Sequence, residues 1–366
     1  MSLQEAALAD PTKLGEVIKH HLPFLRRDTL QRLADVVTAL IQARSTKHAQ
    51  LALHLPGTVG AVSKLRRVER CLHDPQLDRD VFLKLLVPLL PDEKLVMTMD
   101  RTNWEHGEAD LNLLVLGVVL EGFTLPLVWM ALPHGGSSDT GVRERLVAQL
   151  LKVLPAKRWR VLVADREFVG AAWFTFLRRR GIKRCLRIRG DARIDDVRLD
   201  EGWGYVQPGQ VVALLEKANV YGNVMQLVVT RTDAGELLAL ATDLKIDETR
   251  AVYRLRWTVE CTFSTQKSRG FDLEASAMTR PDRLERLFGV VTLALAWCLR
   301  VGVWCHQQRP IKRKKHGRRA VSLVRYGLEL LSASLRWDTS DCLTLLALVM
   351  QPFPAPAHHS IQVVGY

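Results

Sequence analysis

The sequence predicts an α/β fold: a mixed sheet flanked by helices, preceded by a helical N-terminal region, interrupted by a β-rich insertion and closed by a helical C-terminus. Three observations predict it. Apolar residues recur at helical spacing up to about residue 91. From residue 94 the pattern becomes short apolar runs cut by glycine, followed by alternating helical and strand-like segments to residue 190. Residues 191–247 are rich in Gly, Asp and short β-branched runs, and helical spacing resumes from residue 248.

At 366 residues the chain is long enough for a large buried core and more than one structural unit. Its 52 Lys and Arg outnumber its 39 Asp and Glu, a net charge of +13. That excess favours a polyanionic partner, above all nucleic acid. The six cysteines show no CxxC pair and no Cys/His ligand spacing, so a structural zinc site is not expected and buried thiols in a reducing cytoplasm are. The first residues, MSLQEAALADPTK, lack the charged-then-apolar pattern of a signal peptide. Two apolar runs have the length of a membrane span. One, at 111–132, is broken by Glu121, Gly122 and Pro126, and the other, at 287–305, carries Arg300. The first is expected as two strands and the second as a buried helix, with no membrane partner.

Residues 1–91 are assigned to a helical DNA-binding region. RDTLQRLADVVTALIQAR carries Leu30, Leu33, Val37, Leu40 and Ile41 on one stripe, with Asp28 placed as the N-cap. A short helix, a Pro-Gly turn and a basic helix follow. The basic helix sets Val62, Leu65 and Leu72 on one side and carries Lys64, Arg66, Arg67 and Arg70. That order fits a helix-turn-helix-like DNA binder, or a helical bundle with a solvated basic face. Residues 92–190 begin with KLVMTMD, a strand expected to end at Asp100. Two further strands follow with a hairpin turn at Gly122, then helix, strand, helix, strand; the apolar run RWRVLVA stops at Asp165. Three antiparallel strands followed by helix, strand, helix, strand is the layout of an RNase H-like core. Residues 191–247 are a β-rich insertion with a hairpin turn at TDAGEL, and 248–310 complete the core. Residues 311–366 hold the C-terminal helices and most of the tract RPIKRKKHGRR, seven of whose eleven residues are Lys or Arg. Such a tract follows phosphates or stays disordered, with a nuclear localisation signal as the other reading.

The segment YRLRWTVECTFSTQKSRG, residues 253–270, is expected to be one helix. At about 100° per residue, Tyr253, Arg256, Trp257, Glu260, Ser264 and Lys267 share a face. Glu260 thus stands among groups that bind phosphate. With Asp100 and Asp165 it makes a set of three hard oxygen ligands suited to two Mg²⁺ ions, with Mn²⁺ as a substitute. Two such ions activate an attacking hydroxyl and stabilise the leaving oxygen in phosphodiester chemistry. The structural alternative is a surface pair between Glu260 and Arg256.

Tyr253, two residues, Arg256, three residues, Glu260, six residues, Lys267 reproduces the Y-(2)-R-(3)-E-(6)-K signature. With MDRTNW around Asp100 and ADREF around Asp165, the chain resembles the DDE transposases of bacterial insertion sequences, of the insertion-sequence-four type. The resemblance runs from about residue 95 to 270. It implies that Asp100, Asp165 and Glu260 are the catalytic, metal-binding triad, and that Tyr253, Arg256 and Lys267 contact DNA. It also implies double-stranded DNA as partner, both element ends and target, a homodimer in the DNA complex, and a bacterial cytoplasmic, nucleoid-associated location. Some family members form a DNA hairpin and stack a flipped base on a Trp of the insertion. Trp203 is a candidate for that role, with packing of the β-rich segment as the alternative. The expected function is cut-and-paste transposition: binding of terminal inverted repeats, hydrolysis, and joining of 3′-OH ends to target DNA. A metal-dependent nuclease of the same fold and a non-catalytic, transposase-derived DNA-binding regulator are the competing functions.

Overall fold

The computed structural model describes residues 14–315, 317–337 and 340–355. Five helices come first: α1 (Leu14–Lys19), α2 (Arg27–Ala43), α3 (His48–Leu53), α4 (Ala61–His73) and α5 (Arg79–Leu86). The α2 stripe Leu30, Leu33, Val37, Leu40 and Ile41 is buried, as its spacing predicts. Asp28 does not cap α2. The N-cap position is Arg26, and Asp28 sits in the first turn, paired with Arg26 at 3.2 Å and Arg32 at 3.4 Å. Helices α3 and α4 pack on each other and on α2. Arg67 ties them, pairing with Asp35 at 2.5 Å and donating to Pro56 O at 2.9 Å. Val62 departs from its expected place and is 66% exposed. It lies six positions before buried Val68, about 240° round the helix, so it joins Arg66 and Arg70 on the outer face.

Eleven strands form one sheet among the described residues. They are β1 (Leu95–His106), β2 (Ala109–Leu120), β3 (Phe123–Ala131), β4 (Trp159–Ala164), β5 (Arg184–Ile188), β6 (Arg193–Ile194), β7 (Val197–Arg198), β8 (Val211–Ala213), β9 (Ala218–Val220), β10 (Asn223–Arg231) and β11 (Leu237–Thr242). The order is β3-β2-β1-β4-β5-β11-β10-β9-β6-β7, with β8 on β10. β1, β2 and β3 are antiparallel, and β1, β4 and β5 run parallel. Helix α6 (Thr140–Leu151) connects β3 to β4, and α7 (Ala171–Arg179) connects β4 to β5. The β2–β3 turn is Glu121-Gly122, both at positive φ (51° and 88°), the geometry a two-residue hairpin needs to follow strand twist.

The β-rich insertion is not a separate sheet. β11 pairs antiparallel with β5, and β10 pairs with β11, so the insertion lengthens the central sheet from its β5 edge. The expected TDAGEL turn joins β10 to β11. A short helix, α8 (Leu199–Gly202), precedes Trp203, which is half-buried and packed against the main core.

The remaining helices are α9 (Ile246–Arg254), α10 (Trp257–Ser264), α11 (Pro281–Gln308), α12 (Leu323–Trp337) and α13 (Ser340–Leu348). Helix α11 is long and apolar enough to cross a membrane, but 94% of its most apolar 18 residues lie inside the protein. Its Arg300 donates to the backbone carbonyls of Gln351 and Pro352. Gly302 and Gly327 let α11 and α12 touch backbone to backbone. A Cβ at Gly302 would lie 1.9 Å from Leu323 O, and one at Gly327 would lie 1.8 Å from Cys298 O. None of the six cysteines is joined to another in a disulfide.

Candidate active site

Asp100 does not end its strand. β1 continues to His106 because its antiparallel partner β2 is equally long and pairs with it throughout, Asp100 against Val115. On its other side β1 pairs with β4 only as far as Met99 against Ala164. The parallel ladder therefore stops one residue short of both Asp100 and Asp165, which stand side by side beyond the C-terminal end of β4. A crevice at that position is where open α/β sheets bind ligands.

The third carboxylate comes from helices crossing the same sheet face. The row predicted as one helix is three pieces. α9 ends at Arg254, i→i+3 bonds tighten the chain through Leu255 and Arg256, α10 carries Glu260, and Thr265–Arg269 form a π-helical turn. Short 3₁₀ and π interruptions re-aim side chains that a straight helix would keep in line. α9 is seated by Val252 and Tyr253 against Val161, Val163, Cys185 and Leu240. α10 is held by hydroxyls: Thr124 Oγ1 lies 3.1 Å from Thr98 Oγ1 and 2.8 Å from Thr258 Oγ1. Thr262 Oγ1 accepts from Thr124 N–H and donates to Thr124 O. These buried bonds fix the height of Glu260 over β1.

Arg256 joins two of the three acids. Its Nη1 donates to Asp100 Oδ2 at 3.1 Å and its Nη2 to Glu260 Oε1 at 2.7 Å. Asp165 has other partners: Tyr253 Oη donates to its Oδ1 at 3.4 Å, and Arg187 Nη1 lies 3.6 Å away. Burial pushes the Asp100 carboxyl up to about 6, helped by the negative charges of Glu167 and Asp165 and opposed by the Arg101 N–H and Arg256. Burial works against the Arg256 charge, but Tyr253, Asp100, Asp165 and the Glu260 bond outweigh it and hold the guanidinium protonated. Burial and Asp165 push the Tyr253 phenol up, so it remains a donor.

Lys267 lies apart from the acids. Its Nζ donates to Asn103 O at 2.6 Å, pairs with Glu274 at 3.2 Å and sits 5.3 Å from the centre of the Trp104 ring. It covers the outer half of β1, three to four residues beyond Asp100. Several charged neighbours went unpredicted. Arg187 also pairs with Glu236 at 2.6 Å, and Arg166 reaches the same oxygen at 2.8 Å, so the β10–β11 turn touches the Asp165 side of the site. Arg101 grips Glu167 through Nε and Nη2, each at 3.0 Å. The available signal was a charged residue inside each apolar strand: Arg187 in RCLRI and Arg101 directly after Asp100. The threonine ladder carries no comparable signal.

Three carboxylates are a hard-oxygen donor set of the kind that Mg²⁺ and Mn²⁺ take. Among the described residues no three His, Cys, Asp or Glu side chains stand close enough together to hold an ion as they are. Arg256 lies between Asp100 and Glu260 and supplies the positive charge there. The donor types fit a divalent cation, and gathering them requires Arg256 to give up at least one carboxylate.

The fold and this site define a mixed-sheet α/β protein with two acids beyond the end of a parallel ladder and Arg256, between α9 and α10, joining one of them to Glu260. The family model described as Transposase DDE domain matches residues 91–297, more than half of the chain. The chain belongs to that family, and all six candidate residues lie within the matched span. No curated protein matches it. Among solved structures, it is similar to a piggyBac transposase in a synaptic complex with hairpin DNA, determined by cryo-EM. That similarity has 12% identity and a TM-score of 0.45, covering 91% of this chain and 78% of that one.

Proposed function

We propose that this transposase is of the insertion-sequence-four type and acts by cut-and-paste: it binds terminal inverted repeats as a homodimer, cleaves DNA and joins the freed 3′-OH ends to target DNA. The carrying observation is the side-by-side placement of Asp100 and Asp165 with Glu260 held above β1, all three within reach of one guanidinium or phenol. In this assignment the five strands β3-β2-β1-β4-β5 are an RNase H-like core. Asp100, Asp165 and Glu260 are the catalytic triad and would hold two Mg²⁺, or Mn²⁺. Bound there, the ions would activate the attacking hydroxyl and stabilise the leaving oxygen.

The chain's own residues do the rest. Arg256 neutralises Asp100 and Glu260 while the site is closed, then turns its planar fork to a DNA phosphate. Tyr253 donates its phenolic hydrogen bond and fixes the strand beside Asp165. Lys267, already over β1, contacts the backbone further out. Glu167 keeps Arg101 turned away from the crevice, leaving Asp100 to the face that α10 covers. The α2–α3–α4 unit, with Arg66 and Arg70 exposed, binds the element end. The protein works in the bacterial cytoplasm at the nucleoid.

The test is a plasmid carrying the gene with its native flanks, incubated with purified protein and Mg²⁺, with products mapped at nucleotide resolution. Cuts at two inverted-repeat ends with insertion into a second plasmid, and none by Glu260→Gln, are expected. Scattered nicks would mean a nuclease, and end binding without cutting by the wild type would mean a regulator.

A further inference from the structure

Within the basic tract, residues 312–314 and 317–320 face each other as two hydrogen-bonded arms of a hairpin. Lys314 N donates to Arg318 O and Ala320 N to Lys312 O, each at 2.8 Å, and Arg313 Nη1 donates to Gly317 O at 3.0 Å. Its base is anchored on α11, where Ile311 N–H donates to His306 Nδ1 at 2.9 Å. Its far strand reaches the sheet: Arg319 lies 4.0 Å from Glu121 in the β2–β3 turn, two residues before the Phe123-Thr124 start of β3 that seats α10. Thr124 in turn bonds Thr262 of α10, two residues after Glu260, through both its N–H and its carbonyl. The hairpin therefore stands on the Glu260 side of the crevice.

Lys312, Lys314 and Lys315 are exposed, and among the described residues none forms an ion pair. The tract contains no Phe, Trp or Tyr, so it offers no stacking platform for unpaired bases. Lysines are compact charges that follow phosphates without reading base edges. We propose that the exposed lysines Lys312, Lys314 and Lys315 of this hairpin are a backbone clamp for duplex DNA, separate from the carboxylates, that extends the binding track from Glu260 along the α10 side irrespective of sequence. It rests on the transposase activity proposed above.

The test uses the full chain and a mixed-sequence duplex in metal-free buffer, where no cutting occurs. Binding is followed by fluorescence anisotropy over a range of salt concentrations. Each phosphate contact adds about 0.9 to the slope of log affinity against log salt. Combined Lys312→Gln, Lys314→Gln and Lys315→Gln should therefore lower the slope by roughly 2–3. Combined Lys312→Arg, Lys314→Arg and Lys315→Arg should keep it. An unchanged slope in the Gln variant would overturn the clamp, as would an equal loss in the Arg variant or absent duplex binding by the wild type. Glu260→Gln, assayed alongside in Mg²⁺, should not cut DNA. If that variant nonetheless cuts DNA in Mg²⁺, the triad assignment fails while the slope still decides the clamp.

Discussion

Two regions of the molecule hold positive charge in opposite ways. In the crevice, Arg256, Arg187 and Arg101 each lie against a carboxylate, largely out of water. On the hairpin, Lys312, Lys314 and Lys315 stand in solvent. A charge already paired and buried exchanges partners at short range, and its removal leaves an acid stranded. A charge in solvent acts at a distance and is weakened by salt. The first arrangement suits chemistry that begins only when the right ligand displaces an internal partner, and the second suits capture.

The largest effect that would break this contrast is at Glu260. Glu260→Gln should lower cleavage at least about a hundred-fold with duplex affinity unchanged, scored by gel assay and anisotropy. Parallel losses of affinity and cleavage would mean that the crevice, too, is mainly a capture surface. Next, Arg256→Ala should reduce cleavage roughly ten-fold or more. It should also lower unfolding stability on the order of 1–3 kcal/mol in denaturant titration, because Asp100 and Glu260 lose a shared donor. Stability unchanged by Arg256→Ala would show that the pairing carries no weight.

The Asp100 carboxyl sharpens the contrast through pH. Its folded-state pKa, about 6, stands above the ordinary carboxylate value, so its proton is held more tightly in the folded protein. Its contribution to stability is thus fully present below the unfolded pKa and is lost as pH rises through about 6. Asp100→Asn should gain stability relative to wild type across that window, by about 1–3 kcal/mol at pH 7. Wild-type cleavage should fall as pH drops through 6, where Asp100 takes up a proton. Parallel stability curves for the two proteins would remove the burial argument. The smallest effect is at Glu236, which is 46% exposed. Glu236→Gln should cost less than about 1 kcal/mol and change cleavage by less than a few-fold.

Much of the core was legible because its signals are local. The strand-helix alternation from residue 94 to 190, the Glu121-Gly122 turn and the buried 287–305 helix follow from period and turn chemistry. The spacing of Tyr253, Arg256, Glu260 and Lys267 was visible, but their geometry was not. Helical periodicity assumes a constant turn, and the 3₁₀ and π interruptions that send Lys267 towards Trp104 come from tertiary contacts such as the threonine ladder. Asp100 looked like a strand end because the apolar run stops there. The strand continues because β2 supplies a partner from another part of the chain. The pairing of β11 with β5 was equally hidden, since either edge of a β-rich segment offers the same hydrogen-bonding groups.

That β5–β11 pairing has a mechanical consequence. Asp165 follows β4, β4 is bonded to β5, and β5 to β11, so the β10–β11 turn and Asp165 belong to one stiff plate. Swinging the insertion away from the acid would mean tearing a ladder of backbone hydrogen bonds, whereas α9 and α10 pair with no strand of the plate and rest on it through packing and single side-chain bonds. Any gripping motion on a bound duplex should therefore be a movement of the helices against a stationary anvil, with the insertion as part of the anvil and not of the jaw.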